Sequence, residues 1–274
     1  LRRFLDAVRQ QVVPPDELIV VDDGSGDETG LVVAAYGEVR YLTQPNSGPA
    51  TARNRGWKAS SCDVIAFADD DTIPSSNWIS DLAEVFAADP DLAAVGGAIA
   101  PFRDGFVADF SHLEQHVTHG IEDDGTVKYL VTANAAWRRE VLRALSGFDE
   151  RFLGASGEDT DLTLRALDAG LKVAVTNRAV VFHDDRTDLL NVLRTYRRHG
   201  ASRWRVVESS PSPAWGRRRR RSLGPAHWLA RFRRYRAHGC SVPVAVAYLG
   251  LRTLGLMAYA LGIASAYVRR RGDV

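Results

Sequence analysis

Four short groupings of charged residues in the 274-residue chain have types and spacings that could do chemistry. Asp69, Asp70 and Asp71 follow directly on the apolar run Val64 to Ala68. Three adjacent carboxylates repel one another, and a bound divalent cation relieves that repulsion. Oxygen donors in an Asp-x-Asp pattern suit Mg2+ or Mn2+ held jointly with a substrate's phosphates. His183 closes a later apolar run and could complete the shell, which tilts the choice toward Mn2+. Glu158 and Asp159 open a predicted helix behind Gly154, Ala155, Ser156 and Gly157, where a carboxylate could serve as general base beside room for an acceptor hydroxyl. Arg53 lies one turn into a predicted helix after the Gly48-Pro49 loop and could pair with a diphosphate. Asp22 and Asp23 run into Gly24-Ser25-Gly26, a tight turn first and a ligand contact second. Each grouping also has a plainer reading. The aspartate triplet could be a solvated turn with Asp71 capping the next helix, Glu158 a first-turn acid, His183 a structural imidazole and Arg53 a surface charge.

The elements that must position these residues read as alternating strands and helices. Phe4, Leu5 and Val8 predict a helix over 2–11, stopped at Pro14-Pro15. Short apolar, β-branched runs predict strands over 18–21, 39–42, 64–68 and 92–99. Between them, helices are expected over 30–36, 50–60 and 78–88. Farther on, the pattern predicts a strand over 129–133 preceding Asn134 and a helix over 140–145. A helix over 159–169 follows, ending at Gly170, and then two short strands over 173–175 and 179–182. This alternation predicts an α/β layered fold with a mostly parallel sheet flanked by helices. In such sheets ligands sit beyond the carboxyl ends of strands, where both Asp22-Asp23 and Asp69-Asp70-Asp71 fall.

Read in order, the segments stop being independent. ELIVVDDGSGDET, NSGPATARNRGWKAS and DVIAFADDDTIPSSNWI are followed by ANAAWRREVL, SGFDERF, GEDTDLTLRALDAG and VVFHDD. Together they resemble glycosyltransferase family 2, with the GT-A fold, over roughly residues 18–185. The resemblance implies an inverting, metal-assisted transfer from a nucleotide-diphosphate sugar, with a UDP-sugar the commonest donor. It implies that Asp22 or Asp23 contacts the nucleotide base and that Arg53 lies near base and phosphates. Asp69 would face the ribose or a metal-bound water, Asp70 would lie in the same nucleotide-sugar site, and Asp71 and His183 would ligate the metal. Asn134 would lie near donor sugar and acceptor, Asp159 would be the catalytic base, and Glu158 would hold the acceptor side. Two departures stand out. A family-type opening strand of the form V-S-V-V-I-P is absent ahead of LRRFLDAVRQ, and the Gln-x-x-Arg-Trp element of processive synthases is reduced to Arg203-Trp204. The second favours transfer of one or a few sugars over polymerisation.

Charge divides the chain unevenly. Residues 201–274 hold 15 arginines, no lysine and two acids, against 20 basic and 32 acidic residues in the first 200, which accounts for the net charge of +1. The expected division is a catalytic domain over 1–205, with a donor half near 1–100 and an acceptor half near 101–205, and an Arg-rich, apolar helical region over 206–274. Arg217 to Arg221 are consecutive, and residues 242–268 are apolar except for Arg252, long enough to span a bilayer. A central arginine would cost about 2.5–3.5 kcal/mol on insertion scales, so an interfacial helix flanked by arginines is an alternative to a span. Membrane contact through 217–271 is therefore expected, with an acceptor glycan or lipid-linked saccharide and a homodimer as further partners. Nucleic acid is not, because no recognition module accompanies the arginines. Two distant cysteines and an opening without a signal-peptide core point to the cytoplasmic side, at the membrane face. Competing readings are a sugar nucleotidyltransferase, whose Gly-rich triphosphate loop is not visible, and a silent GT-A-like scaffold, against which Asp69, Asp71, Asp159 and His183 argue.

Overall fold

The computed structural model describes residues 1–114, 119–121, 125–152, 154, 157–184, 188–209 and 224–272, without the side chains at 202–209 and 269–272. The Arg217 to Arg221 run, the linker from Ser210 to Pro213, the Arg203-Trp204 side chains and most of the small-residue loop before Gly157 therefore lie outside the described residues. Two compact units form: one of Leu1–Arg103 with His116–Asp184, the other of Asp104–Gln115 with Asp185–Val274. The division falls at Asp184, where the sequence pattern suggested 205, and the second unit also takes a short stretch from mid-chain.

In the first unit, helix α1 (Arg2–Arg9) precedes β1 (Leu18–Asp22), α2 (Thr29–Ala34), β2 (Val39–Thr43) and α3 (Pro49–Ala59). Then come β3 (Val64–Ala68), β4 (Thr72–Pro74), α4 (Trp78–Ala88) and β5 (Leu92–Pro101). Strands β1 and β2 pair in parallel as a separate ribbon. After α5 (Phe106–Glu114), which belongs to the second unit, follow β6 (Gly120–Ile121), β7 (Val127–Tyr129), β8 (Asn134–Arg138), α6 (Arg139–Ala144), α7 (Glu158–Asp168) and β9 (Lys172–His183).

The main sheet has the order β3-β8-β5-β9-β4. The layered α/β architecture is as expected; its strand directions are not. Only β5 and β9 run parallel, while β8 runs antiparallel to both β3 and β5, and β4 antiparallel to β9. Strand β8 lies between two parallel-running neighbours and returns against them, a long-range pairing that no local pattern reports. The expected strand over 129–133 also moves. The chain turns there, and Asn134 begins β8 instead of following a strand.

Side chains on β8 alternate with period two, as a pleated strand requires. Ala135 and Trp137 enter a core layer with Trp57, Phe67, Phe148 and Leu162, beneath α3, α6 and α7. Ala136 enters the opposite layer with Trp78, Leu82, Phe86 and Val181, beneath α4. Both faces of the sheet are therefore covered.

The second unit is helical: α5, α8 (Leu189–Ser209), α9 (Pro225–Ala237) and α10 (Val242–Gly272). Its core is Phe110, Val192, Tyr196, Tyr235, Ala245 and Tyr248. α8 and α10 approach closely because glycines face the neighbouring backbone. A Cβ on Gly200 would lie 2.0 Å from the Tyr259 carbonyl oxygen, and one on Gly262 2.0 Å from that of Arg197.

Candidate active site

The aspartate triplet occupies the turn between β3 and β4. Thr72 fixes it, donating its backbone N–H (3.1 Å) and hydroxyl (2.7 Å) to the Asp69 carbonyl. The next element is a strand, so Asp71 caps no helix. Instead the β4–β9 pairing sets Thr72 opposite His183, and the Asp184 N–H donates to the Asp71 carbonyl at 3.0 Å. This brings His183 Nε2 to 3.6 Å from Asp71 Oδ1, too long for a hydrogen bond and wider than the roughly 3.0 Å between adjacent ligands on an octahedral ion with bonds near 2.1 Å, so the two would have to close slightly to share one ion. Burial pushes the Asp71 carboxyl upward; His183 pulls it down, and Asp69 and Asp70 push it up again. A half-exposed carboxylate with acidic neighbours and an imidazole across from it is a donor set that fits a divalent cation. No three His, Cys, Asp or Glu side chains among the described residues group closely enough to hold a metal unaided, so a substrate's phosphates and water would supply the remaining ligands.

Arg53 projects from α3 and is clamped on both sides. Nη1 donates to Glu158 Oε1 at 2.6 Å and Nη2 to Asp69 Oδ1 at 3.1 Å. Burial works against its charge, and Asp69, Glu158 and Asp159 more than offset that. The guanidinium expected beside a diphosphate thus first joins the aspartate turn to the head of α7. Asp23 positions the route to it: its carboxylate accepts the Ser47 and Gly48 N–H groups and the Gln44 amide, each at 2.8 Å, and so pins the loop entering α3. Asp22 accepts the Ser25 N–H at 2.7 Å and the Tyr41 hydroxyl, which hold its carboxyl below the usual range, Tyr41 contributing most.

Helix α7 starts from Gly157 at φ 103°, a left-handed conformation that favours glycine. No side chain caps this end among the described residues, and Glu158 lies in the first turn with Asp159 and Asp161. Glu158 is turned inward, 2% exposed, with Oε1 on Arg53 and Oε2 without a hydrogen-bond partner among the described residues. Asp159 lines a narrow crevice with Leu130, Val131, Trp137, Phe148 and Leu162. Burial there, reinforced by the Glu158 charge and opposed by Arg53, raises its carboxyl to about 7. A carboxylate with that proton affinity is poised to take a proton near neutral pH.

Asn134 departs from expectation. It is fully buried, and its amide is used up by protein groups: Nδ2 donates to the carbonyls of Ala98 (2.8 Å) and Ala179 (2.9 Å), and Oδ1 accepts the Trp78 indole N–H (2.8 Å). It ties β5, β9 and α4 together, with no polar atom left over for a sugar. The fold thus brings Asp69, Arg53, Glu158 and Asp159 into one connected group and Asp71 with His183 into another at the same strand ends. Asp22 and Asp23 sit at the neighbouring ribbon, and Asn134 lies behind in the core. Sequence reasoning missed Tyr41, which orients Asp22, and Asn54, whose side chain holds the Phe148 backbone through both its N–H (2.9 Å) and its carbonyl (2.8 Å). Neither sits in a pattern that marks it from sequence alone.

Comparison with known proteins agrees with this geometry. Glycosyl transferase family 2 matches residues 1–146. The pre-mycofactocin glycosyltransferase of Mycobacterium tuberculosis is 33% identical over 98% of this chain and 62% of its own length. The O-antigen chain rhamnosyltransferase RfbN of Salmonella typhimurium is 34% identical over 65% of this chain and 60% of its own. The chain thus spans about three fifths of the length of these relatives. Among solved structures, the mannosyltransferase PcManGT from Pyrobaculum calidifontis, in complex with GDP-Man and Mn2+, superimposes with a TM-score of 0.61 at 19% identity, covering 96% of this chain and 81% of that one. S. aureus TarS 1-349, in complex with UDP, gives 0.53 at 16% identity, covering 98% and 87%. These likenesses establish the GT-A-type fold. With the family pattern matched over more than half of its length, the chain belongs to glycosyl transferase family 2.

Proposed function

We propose that this protein is an inverting glycosyltransferase that moves a sugar from a nucleoside-diphosphate sugar to an acceptor hydroxyl, acting with Mn2+ or Mg2+ on a cell-envelope glycan or lipid-linked saccharide at the cytoplasmic face of a membrane. The observation that carries the reading is the Asp69–Arg53–Glu158 bridge, which places the aspartate turn next to Asp159, a half-buried carboxyl of raised proton affinity. In this reading Asp159 takes the acceptor's hydroxyl proton as the acceptor oxygen bonds to the anomeric carbon. The carbon–oxygen bond to the diphosphate breaks with its electron pair leaving on the nucleoside diphosphate, and attack from the opposite face inverts the centre. Glu158 and Arg53 set the charge around Asp159, and the Thr160 N–H donates to its carboxylate. Asp71 and His183 are the residues that would hold the metal, which when bound would neutralise charge developing on the diphosphate. The complexes of the structural neighbours with GDP-Man and Mn2+ and with UDP support a metal-dependent nucleotide site.

The test is thermal stability with Mn2+ and UDP, GDP or dTDP, followed by transfer from the matching sugar nucleotides. A nucleotide at 100 times its dissociation constant should stabilise the fold by about 2.7 kcal/mol, only with metal present. Stabilisation by none of the three would overturn the reading.

A further inference from the structure

Helix α10 carries one mid-helix charge, and the second unit turns that charge inward. Arg252 is buried and paired with Glu114 of α5, and its Nη2 lies 3.2 Å from His227 Nε2. Glu114, itself buried, also accepts from Arg231 Nη1 at 3.1 Å and from the Tyr235 hydroxyl at 2.7 Å. Three donors on one carboxylate dispose of the arginine without exposing it. The outward face of α10 is what remains. Every exposed position from Val242 to Val268 is uncharged. Val242, Val246, Leu254, Met257, Leu261 and Val268 are 46–66% exposed and recur at three-, four-, seven- and eight-residue steps that align them on one side of a helix. A water-facing helix ordinarily carries charges there.

By length and hydropathy this helix could cross a bilayer, but its packing argues against a span. α8 lies along the inner face of α10 near enough that Gly255 abuts Tyr196 and Gly262 the Arg197 backbone. α8 carries Arg194, Arg197 and Arg198 exposed. Insertion across the bilayer would drag those arginines into hydrocarbon or strip α8 from α10. We propose that the second unit docks in the plane of an anionic lipid surface, with the apolar stripe of α10 sunk into the acyl boundary. The occupant is set by charge complementarity: residues 201–274 carry 15 arginines against two acids, three of them, Arg269 to Arg271, directly at the end of the stripe. This mode rests on the membrane contact proposed above and specifies its residues and orientation.

The experiment is co-sedimentation of the full chain with phosphatidylserine/phosphatidylcholine vesicles, comparing wild type with Met257→Asp/Leu261→Asp. Both positions are exposed, so the variant should keep the helical circular dichroism and melting of the wild type while its partition falls about tenfold or more. Orientation is read with a membrane-impermeant maleimide added outside sealed vesicles to a Gly272→Cys variant, with labelling mapped at Cys240 and position 272. In-plane docking labels both ends of the helix. Protection of one end would show a span and overturn the proposal, as would unchanged partition of the double variant. A wild type that self-associates, with a double variant that becomes monomeric but binds vesicles equally well, would assign the stripe to a second copy instead. Failure of the wild type to bind any vesicle would overturn the membrane-contact reading itself, whereas binding that ignores the stripe would overturn only this docking mode.

Discussion

Replacing Asp159 by Asn should make the protein more stable while nearly abolishing transfer. The folded carboxyl titrates near 7 against 3.8 for the free group, because burial in the apolar crevice beside Glu158 disfavours its charge. Between those values the folded state holds a proton that the unfolded chain has released. Stability therefore falls as pH rises from about 4 to about 7 and is flat beyond. A shift of that size corresponds to a ceiling of about 4 kcal/mol at 1.36 kcal/mol per unit. Asp159 keeps part of its surface in water, which screens its charge, so the gain on neutralising it should be on the order of 1–3 kcal/mol. Asn keeps the shape and can still accept the Thr160 N–H now donated to Asp159 Oδ1. Urea midpoints at pH 5 and pH 8 on metal-free protein, followed by the fluorescence of the buried tryptophans, read the difference. All other titrations are common to both proteins and cancel. The Asn variant should gain much more at pH 8 than at pH 5, and lose about 10²–10⁴-fold in transfer rate. An equal gain at both pH values, or none, would refute the electrostatic account of this crevice; normal transfer would refute the role as base.

Other perturbations separate the remaining parts. Arg53→Met should cost about 3–5 kcal/mol, because it strands the buried Glu158 carboxylate, and Arg53→Met with Glu158→Gln should recover much of that loss in urea melts. His183→Ala should leave nucleotide-free stability within about 1–2 kcal/mol of wild type but abolish the Mn2+-dependent part of the nucleotide thermal shift. Asn134→Ala should cost about 2–4 kcal/mol through three lost hydrogen bonds, and the surviving folded protein should keep its nucleotide affinity, since no atom of Asn134 faces the site. Glu114→Gln should destabilise the helical unit by about 3–5 kcal/mol, seen as an earlier loss of helical signal on heating.

Elements whose evidence is local were legible from sequence, and those fixed by long-range pairing were not. β3 and α4 occupy the residues that their apolar spacing indicates, because one buried face and one stop signal suffice to define each. β9 reads as two strands because Thr176, Asn177 and Arg178 interrupt the apolar pattern. In the fold those residues bulge from the ladder with β5, whose partners jump from Gly96–Val175 to Ala98–Val180, and the strand continues past them. That Asp71 and His183 would meet at neighbouring strand ends could be read from motif order, and the fold sets them 3.6 Å apart. The partners of Arg53 could not, since only the packed fold sets Glu158 and Asp69 on its two sides. Asn134 was visible as a motif member. Its burial, decided by three separate elements, turns a polar residue that sequence places near substrate into a strut.

The charges of the catalytic unit bear on the order in which substrates enter. Asp69, Asp71, Glu158 and Asp159 surround the strand ends, and Arg53 is already committed to two of them. A bare nucleoside diphosphate brings more negative charge to a place where Asp71 is already pushed toward its protonated form by burial and by its acidic neighbours. The arrival of a cation would offset that, as would release of Arg53 from Glu158, but the latter would leave the buried Glu158 side chain without its guanidinium partner and is the more costly route. On the proposed function, a metal would have to precede or accompany the donor, so nucleotide affinity should scale with free Mn2+ and vanish in chelator. With Arg53 on Glu158, the same guanidinium that steadies the aspartate turn also limits how far the proton affinity of Asp159 rises, which on the proposed function would keep the base near neutral pH and not above it.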